Sequence, residues 1–222
     1  LTSEQNNGQI IIKSAHSDSV SKTVIETEYT VDIDGAIKIK RQIDISDNNL
    51  PEIPRIGIKF TLSGDFNYVS WFGRGPHESY WDRKQSAAIG LYSGSVWDQT
   101  FQYVRPQETG NKTDVYWMAL EGNSTGLMAI GLPQFDGSVH QYPYEDLDYY
   151  PNSQKHGKLD ITPKNQTDWL IDYRQMGVGG DNSWGAKPMK KYTLYPGLYE
   201  HSFMLVPFKI GSDLNKISKR RI

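Results

Sequence analysis

Residues 23–45 have the sequence TVIETEYTVDIDGAIKIKRQIDI, and this stretch sets the fold class. On both sides of Asp34-Gly35, polar and apolar side chains alternate and many are β-branched, which is typical of strands with one buried face. An Asp-Gly pair between two such runs is a turn signal for a β-hairpin. We therefore predict two antiparallel strands joined at this turn.

The rest of the chain repeats this pattern. Short runs rich in β-branched and aromatic residues lie between turn residues at 9–13, 55–62, 67–72, 115–120, 126–130, 168–173, 192–194 and 200–206. No stretch carries a long apolar stripe of period 3.6 between helix caps, so we expect little helix beyond one turn within residues 144–150. Many short strands favour an all-β sandwich or barrel.

The domain organisation follows from the absence of any interior break. No composition shift, internal repeat or low-complexity block divides the chain, so we predict one domain over residues 1–208. Residues 209–222 turn basic and lose the strand pattern. We interpret them as a C-terminal tail that lies on the surface or frays.

Composition excludes several kinds of protein. The net charge of −2 over 222 residues gives no reason to expect a nucleic acid or an anionic membrane as partner. The absence of cysteine excludes disulfides and thiolate metal sites. No apolar run is long enough to cross a membrane, and the N-terminus lacks an initiator Met and a signal peptide. We expect a piece of a longer protein, whose compartment, cytoplasm or periplasm, is left open.

The stretch Asp172 to Gly185, DYRQMGVGGDNSWG, is predicted to be a site loop that follows a strand. Its glycines allow positive φ and close backbone approach, and its Asp-Asn-Ser run favours a tight turn. Such a loop can hold Trp184 at a surface, where an indole face stacks on the C–H side of a sugar ring. The competing interpretation is that Trp184 caps the edge of a core.

Three blocks resemble motifs of the β-galactosidases of glycoside hydrolase family 2, in the same order. They are WFGRGPHESYWDR (residues 71–83), YVRPQETGNKTDV (residues 103–115) and DYRQMGVGGDNSW (residues 172–184). The resemblance extends from about Pro54 to Pro207 and covers only the C-terminal domain of that family. It implies a large antiparallel two-sheet supersandwich, similar in topology to galactose mutarotase.

The resemblance also implies where the chemistry lies. In these enzymes, which hydrolyse terminal β-galactosides, both catalytic glutamates and the main metal ligands belong to a separate (β/α)₈ barrel. We therefore assign no catalytic residue here and expect no glycosidase activity from this chain alone. The implied partners are a galactoside or other carbohydrate and the parent's other domains. The oligomeric state of the parent is left open.

Metal and cofactor binding are not predicted. The histidines His16, His77, His140, His156 and His201 form no metal-ligand spacing. Carboxylates are plentiful in the three blocks, but no spacing shows that two of them face each other across a cleft. We expect no cofactor in this chain, while the resemblance allows a divalent metal and sodium in other domains of the parent.

By motif matching, Trp184 corresponds to the family's aromatic platform, which contacts the leaving sugar. We predict substrate binding by Trp184, Asp181, Asn182 and Ser183. The loop is shaped by Gly177, Gly179 and Gly180. The sequence has Asp181-Asn182 where the common motif has two aspartates. We assign the first two blocks mainly to loop structure and to packing against the rest of the parent.

Two other functions compete with this one. A free-standing carbohydrate-binding module needs a groove with several exposed aromatic residues, and Tyr142, Tyr144, Tyr149 and Tyr150 are candidates. A mutarotase-like aldose epimerase needs a paired acid and base, for which His140 with a glutamate is the candidate. Shared topology does not carry chemistry with it, so both alternatives rank lower.

Overall fold

The computed structural model describes residues 1–6, 8–46, 50–104, 107–147, 161–182 and 184–222. Almost all of its regular structure is β. The eleven strands are β1 (Thr2–Asn6), β2 (Gln9–Ser17), β3 (Val24–Val31), β4 (Ile37–Asp44), β5 (Arg55–Ser63), β6 (Tyr68–Gly75), β7 (Ala88–Ser95), β8 (Lys112–Glu121), β9 (Thr125–His140), β10 (Gln166–Gln175) and β11 (Leu198–Lys209).

Helical structure in the described ranges is limited to single turns. Three of them are 3₁₀ helices, at Trp97–Gln99, Tyr144–Leu147 and Lys190–Tyr192, and the fourth is the α-helix α1 (Leu214–Ile217). The turn at Tyr144–Leu147 lies inside the stretch predicted to hold one. The prediction of an all-β fold with little helix is confirmed.

All strand pairs are antiparallel, and the main sheet runs in the order β1-β2-β3-β4-β11-β9-β8-β6-β7. The long strand β9 changes partners along its length. Residues 125–131 of β9 pair with β11, whereas residues 136–140 pair with β10, which in turn pairs with β5. The β5–β10 ribbon therefore leaves the main sheet at β9 and forms a second layer.

The core lies between these two layers. Trp71 and Leu120 from the main sheet meet Trp169 from the ribbon, and none of the three is more than 1% exposed. The Phe60 ring of β5 contacts the Phe203 ring of β11 edge to face, with centroids 6.3 Å apart. Apolar side chains that alternate along each strand thus close the interior.

A second cluster lies on the outer face of the main sheet. Trp117, Met128, Met204 and Phe208 point outward and are covered by the last residues of the chain. Leu214, Ile217 and Ile222 supply the covering side chains. The division at residue 208 stays a prediction, but these side chains pack against the sheet.

The structure corrects several strand predictions. The prediction of a strand at residues 192–194 is wrong, because a 3₁₀ helix ends at Tyr192 and only Leu194 forms an isolated bridge, with Ile53. Strands β1 and β7 and the second half of β9 were not predicted. All five residues of β1 are exposed and show no alternation, and β7 contains two glycines. In β9, Pro133 and the residues that follow it have a composition typical of a turn.

Candidate functional site

Strand β10 leads into the glycine-rich loop, which we define as residues 177–185. The strand ends at Gln175, and the two amides that follow are held by other segments. The Met176 N–H donates to Pro54 O at 2.9 Å, and the Gly177 N–H donates to Tyr192 O at 2.8 Å. The start of the loop is therefore fixed from both sides.

Two adjacent residues of the first block, Asp82 and Arg83, bind the next residues of the loop. The Asp82 carboxylate accepts the N–H of Val178 at 3.1 Å and the N–H of Gly179 at 2.9 Å. Arg83 Nη2 donates to the carbonyl of Gly179. A Cβ on Gly177 would lie 2.7 Å from the Asp82 carboxyl carbon, so the close approach requires glycine. We call Asp82 and Arg83 the loop clamp.

Beyond the clamp, the loop turns through left-handed backbone. Gly179, Gly180 and Gly185 have φ of +63°, +87° and +80°, which glycine adopts without steric cost. The Asn182 side-chain oxygen accepts the Trp184 N–H at 2.8 Å and closes a turn at the tip. The Trp184 side chain is 92% exposed. The loop thus presents an indole to solvent.

The predicted site residues fall at this tip. Asp181 and Asn182 are exposed beside Trp184, and Ser183 lies outside the described residues. The interpretation of Trp184 as the cap of a core edge is wrong, because so exposed a side chain covers no core. Substrate contact by these residues stays a prediction.

Beside the loop lies a cleft of about 460 Å³ that is lined by parts of all three sequence blocks. The first block contributes Tyr80 and Arg83, the second Gln107 and Glu108, and the third residues 175–180. Of the second block, Arg105 and Pro106 lie outside the described residues. The three blocks, far apart in sequence, therefore meet at one place.

Glu78 ties the first block to the second. Its carboxylate accepts the Gly110 N–H at 2.8 Å and the hydroxyls of Thr109, Tyr80 and Tyr103, the first two at 3.2 and 3.3 Å. A carboxylate with this many donors is a structural anchor, because each bond holds it in one orientation. The hydrogen bond to Glu78 and burial raise the pKa of Tyr103 to about 12, with burial the larger cause.

Arg55 occupies the centre of a buried ionic cluster behind the cleft. Its guanidinium lies 3.0 Å from Glu108 and 3.0 Å from Asp172, and it donates to the Gln175 side chain at 2.7 Å. The Tyr144 hydroxyl donates to Glu108 at 2.5 Å. Glu108 is therefore paired with a cation and also accepts a hydroxyl.

Asp172 and Asp136 are directly paired across β10 and β9, and both are buried. Burial raises the pKa of Asp172 to about 8 even though Arg55 opposes the shift. Burial also raises the pKa of Asp136 to about 6. The physical reason in both cases is that burial penalises the charged form of the carboxyl group, and at Asp172 the nearby Arg55 offsets only part of this penalty.

The buried histidines do not face the cleft as acids or bases. His140 is fully buried, where it contacts the Tyr142 hydroxyl at 3.0 Å and Ser138 at 3.3 Å, and burial lowers its pKa to about 3. Burial lowers the pKa of His201 to about 4. The His140 imidazole required by the epimerase alternative is therefore inaccessible to a sugar and neutral.

The two described tyrosines of the carbohydrate-module alternative, Tyr142 and Tyr144, do not form an exposed aromatic groove. Tyr142 is fully buried, and the Tyr144 ring is half-buried against Arg55, 5.1 Å from the guanidinium carbon. Tyr149 and Tyr150 lie outside the described residues. The prediction of Tyr142 as an exposed aromatic is wrong, because its ring packs on Trp97.

Two further observations concern metals and membranes. Within the described ranges, no group of three or more histidine, aspartate or glutamate side chains is arranged to hold a metal ion. In the same ranges, no helix has the length and apolar character needed to cross a membrane.

The role of the loop clamp is not visible in the sequence pattern. Asp82 and Arg83 belong to the block that the sequence assigns mainly to loop structure and to packing against the rest of the parent, and here they hold a loop almost a hundred residues away. The sequence does contain an Asp-Arg pair in the first block and a run of glycines in the third block. Local pattern alone does not indicate that these two segments are in contact.

A family model described as the β-galactosidase small chain matches residues 1–205. A β-galactosidase of Priestia megaterium (strain DSM 319 / IMG 1521) is 41% identical over 181 residues, which are 81% of this chain and 17% of that protein. A β-galactosidase of Streptococcus thermophilus is 31% identical over 193 residues, which are 85% of this chain and 18% of that protein. The chain spans less than a fifth of these relatives.

Among solved structures, a galactose 1-epimerase from Lactobacillus acidophilus NCFM superposes with a TM-score of 0.47. The sequence identity is 8%, and the superposition covers 94% of this chain and 65% of the epimerase.

Proposed function

This chain belongs to the β-galactosidase small-chain family, and from that premise we propose that it supplies the aromatic platform of a β-galactoside site. The remaining groups of that site come from other domains. The observation that carries the proposal is the 92% exposure of Trp184 at the tip of a loop whose base is fixed. An exposed indole on a held loop suits contact with a ligand better than it suits stability.

The chemistry of the platform is positioning. An indole face buries the C–H side of the leaving sugar, and its N–H remains free for water or a hydroxyl. When the sugar is held in this way, the glycosidic bond has a defined orientation relative to the catalytic groups. This lowers the entropic part of the activation barrier. Trp184 itself transfers no proton.

The carboxylates near the loop support a division of labour between domains. Glu78 is held by four donors, Glu108 is paired with Arg55, and Asp82 binds loop amides. Glycoside hydrolysis uses one acid and one free carboxylate on opposite sides of the bond. We therefore assign hydrolysis to carboxylates outside this chain, together with any metal that the parent enzyme uses.

The test is steady-state kinetics of the β-galactosidase that contains this chain, with its other domains present. Trp184→Ala should raise KM for lactose by about tenfold, the value of one aromatic contact, while Trp184→Phe retains most of the binding. The KM for an aryl galactoside, whose leaving group is not a sugar, should rise less than the KM for lactose.

Tyr116→Ala is the matched control. Tyr116 is 41% exposed on β8, and its ring packs on the Phe72 ring, with centroids 5.2 Å apart. This variant should leave both substrates unaffected. Unchanged kinetics of Trp184→Ala on both substrates would refute the platform.

A further inference from the structure

We propose that Asp82 and Arg83, the loop clamp, are positioning residues that set the height and orientation of Trp184 and so determine which leaving groups the enzyme accepts. This inference rests on the proposed function of Trp184. It gives the first sequence block a role in specificity.

The geometry of the clamp supports this role. One carboxylate accepts two successive N–H groups, from Val178 and Gly179, at 3.1 and 2.9 Å. Arg83 donates to the carbonyl of Gly179, so both faces of that peptide segment are held by adjacent residues. Hydrogen bonds to charged groups are about twice as strong as those between neutral groups, so they hold the backbone of Val178 and Gly179 firmly in place.

Gly177 and Gly180, on either side of the held segment, leave the space that the Asp82 and Arg83 side chains occupy. At Gly177 an added Cβ would lie 2.7 Å from an Asp82 carboxyl oxygen, and at Gly180 it would lie 2.8 Å from Arg83 Nη2. Real Cβ atoms do not approach other atoms this closely, so a side chain at either position displaces the clamp. The glycines of the third block are therefore matched to the charged pair of the first.

Past the clamp, the described residues of the loop tip make few contacts. Among them, the Trp184 N–H donates to the Asn182 side-chain oxygen at 2.8 Å, and the space around a Cβ built on Gly185 is open. The return of the loop is held at its surface by Lys187, which lies 2.7 Å from Glu52. The direction of the Trp184 indole thus depends on the two held ends of the loop, of which the clamp holds residues 178 and 179.

The consequence is a specific effect on substrates. Without the clamp, the loop samples several orientations, and the platform pays an ordering cost each time it binds a leaving sugar. The cost applies to lactose, whose leaving group is a sugar. It applies less to an aryl galactoside, and it leaves the catalytic groups of other domains untouched.

The experiment is a double-mutant cycle in the complete β-galactosidase. Asp82→Ala should raise KM for lactose by about tenfold, matching Trp184→Ala, because both remove the same oriented contact. Asp82→Asn retains an oxygen acceptor for one of the two amides and should restore part of the loss. The double variant Asp82→Ala/Trp184→Ala should be no worse than Trp184→Ala alone.

Asp98→Ala is the matched control, since Asp98 is an exposed carboxylate on the 3₁₀ helix Trp97–Gln99. It should leave lactose kinetics unchanged. Circular dichroism and the aryl galactoside kcat report whether each variant is folded, and Arg83→Ala provides a second test if Asp82→Ala does not fold.

The outcomes separate the two proposals. If KM for lactose rises in Trp184→Ala but stays at the wild-type value in Asp82→Ala and Arg83→Ala, the proposed role of the clamp is overturned. The proposed platform then stands. Losses that multiply in the double variant also overturn the clamp, because they show that Asp82 acts independently of Trp184. Normal Trp184→Ala overturns the proposed function and the inference with it.

Discussion

At the scale of the residue, Asp172 shows how burial and charge compete. It lies 3.0 Å from Arg55, yet burial dominates and raises the pKa of its carboxyl group to about 8. The folded protein therefore binds a proton at Asp172 that the unfolded chain has released above about pH 4. The stability due to this protonated group is complete below pH 4 and is lost as pH rises to 8.

The corresponding prediction concerns Asp172→Asn. Asparagine has the shape of the protonated carboxyl group and does not ionise, so the variant should lose less stability than the wild type between pH 5 and pH 8. Urea denaturation at several pH values measures the slope. Parallel wild-type and variant profiles would show that Asp172 is charged in the folded protein throughout this range.

Individual residues also show which parts of the site can be predicted from the sequence. The glycines and turn-forming residues around Trp184 allow it to lie at a surface, but this local pattern leaves the core-edge alternative open, and the 92% exposure in the folded protein decides between them. The contact between Asp82 and Gly179 joins residues 97 positions apart, and the pairing of Asp172 with Asp136 depends on strand register. Neither is visible before the strands are assembled.

At the scale of the element, the short helix α1 has a well-defined beginning. The Asp213 side chain accepts the N–H of Asn215 at 3.0 Å and of Lys216 at 3.2 Å, which caps the helix. The helix places Leu214 and Ile217 over the outer apolar cluster of the main sheet. One cap therefore helps to cover an apolar surface.

We predict that Asp213→Ala lowers the free energy of unfolding by about 1 kcal/mol, the usual value of an N-cap. Asp213→Asn should retain most of the stability, because asparagine caps helices equally well. Thermal denaturation measures both variants. Equal losses for alanine and asparagine would show that the charge, and not the cap, stabilises the helix.

Strand prediction succeeds or fails at this scale for physical reasons. The hairpin of β3 and β4 alternates clearly and turns at Gly35, which has φ of +85°, as predicted. β7 escapes prediction because Gly90 and Gly94 lower its strand propensity, while Tyr92 packs on Trp71 and supplies the contact that keeps it in the sheet. Tertiary packing decides such weak strands.

At the scale of the whole molecule, the second layer depends on β9. This strand pairs with β11 at one end and with β10 at the other, so the ribbon that leads to the glycine-rich loop is attached to the main sheet through it. The side chains between the layers keep the two ends of β9 in their relative positions. The placement of the loop is therefore a property of the core as a whole.

Phe203 tests this dependence, because its fully buried ring lies between the layers and meets Phe60 and His201, with centroids 6.3 and 5.1 Å away. Phe203→Ala should cost about 3–5 kcal/mol of unfolding free energy by leaving a cavity. Phe101→Ala, at a ring that is 61% exposed, should cost about 0.5 kcal/mol. Denaturation of the two variants gives both values, and a small loss at Phe203 would mean that the layers close over the gap.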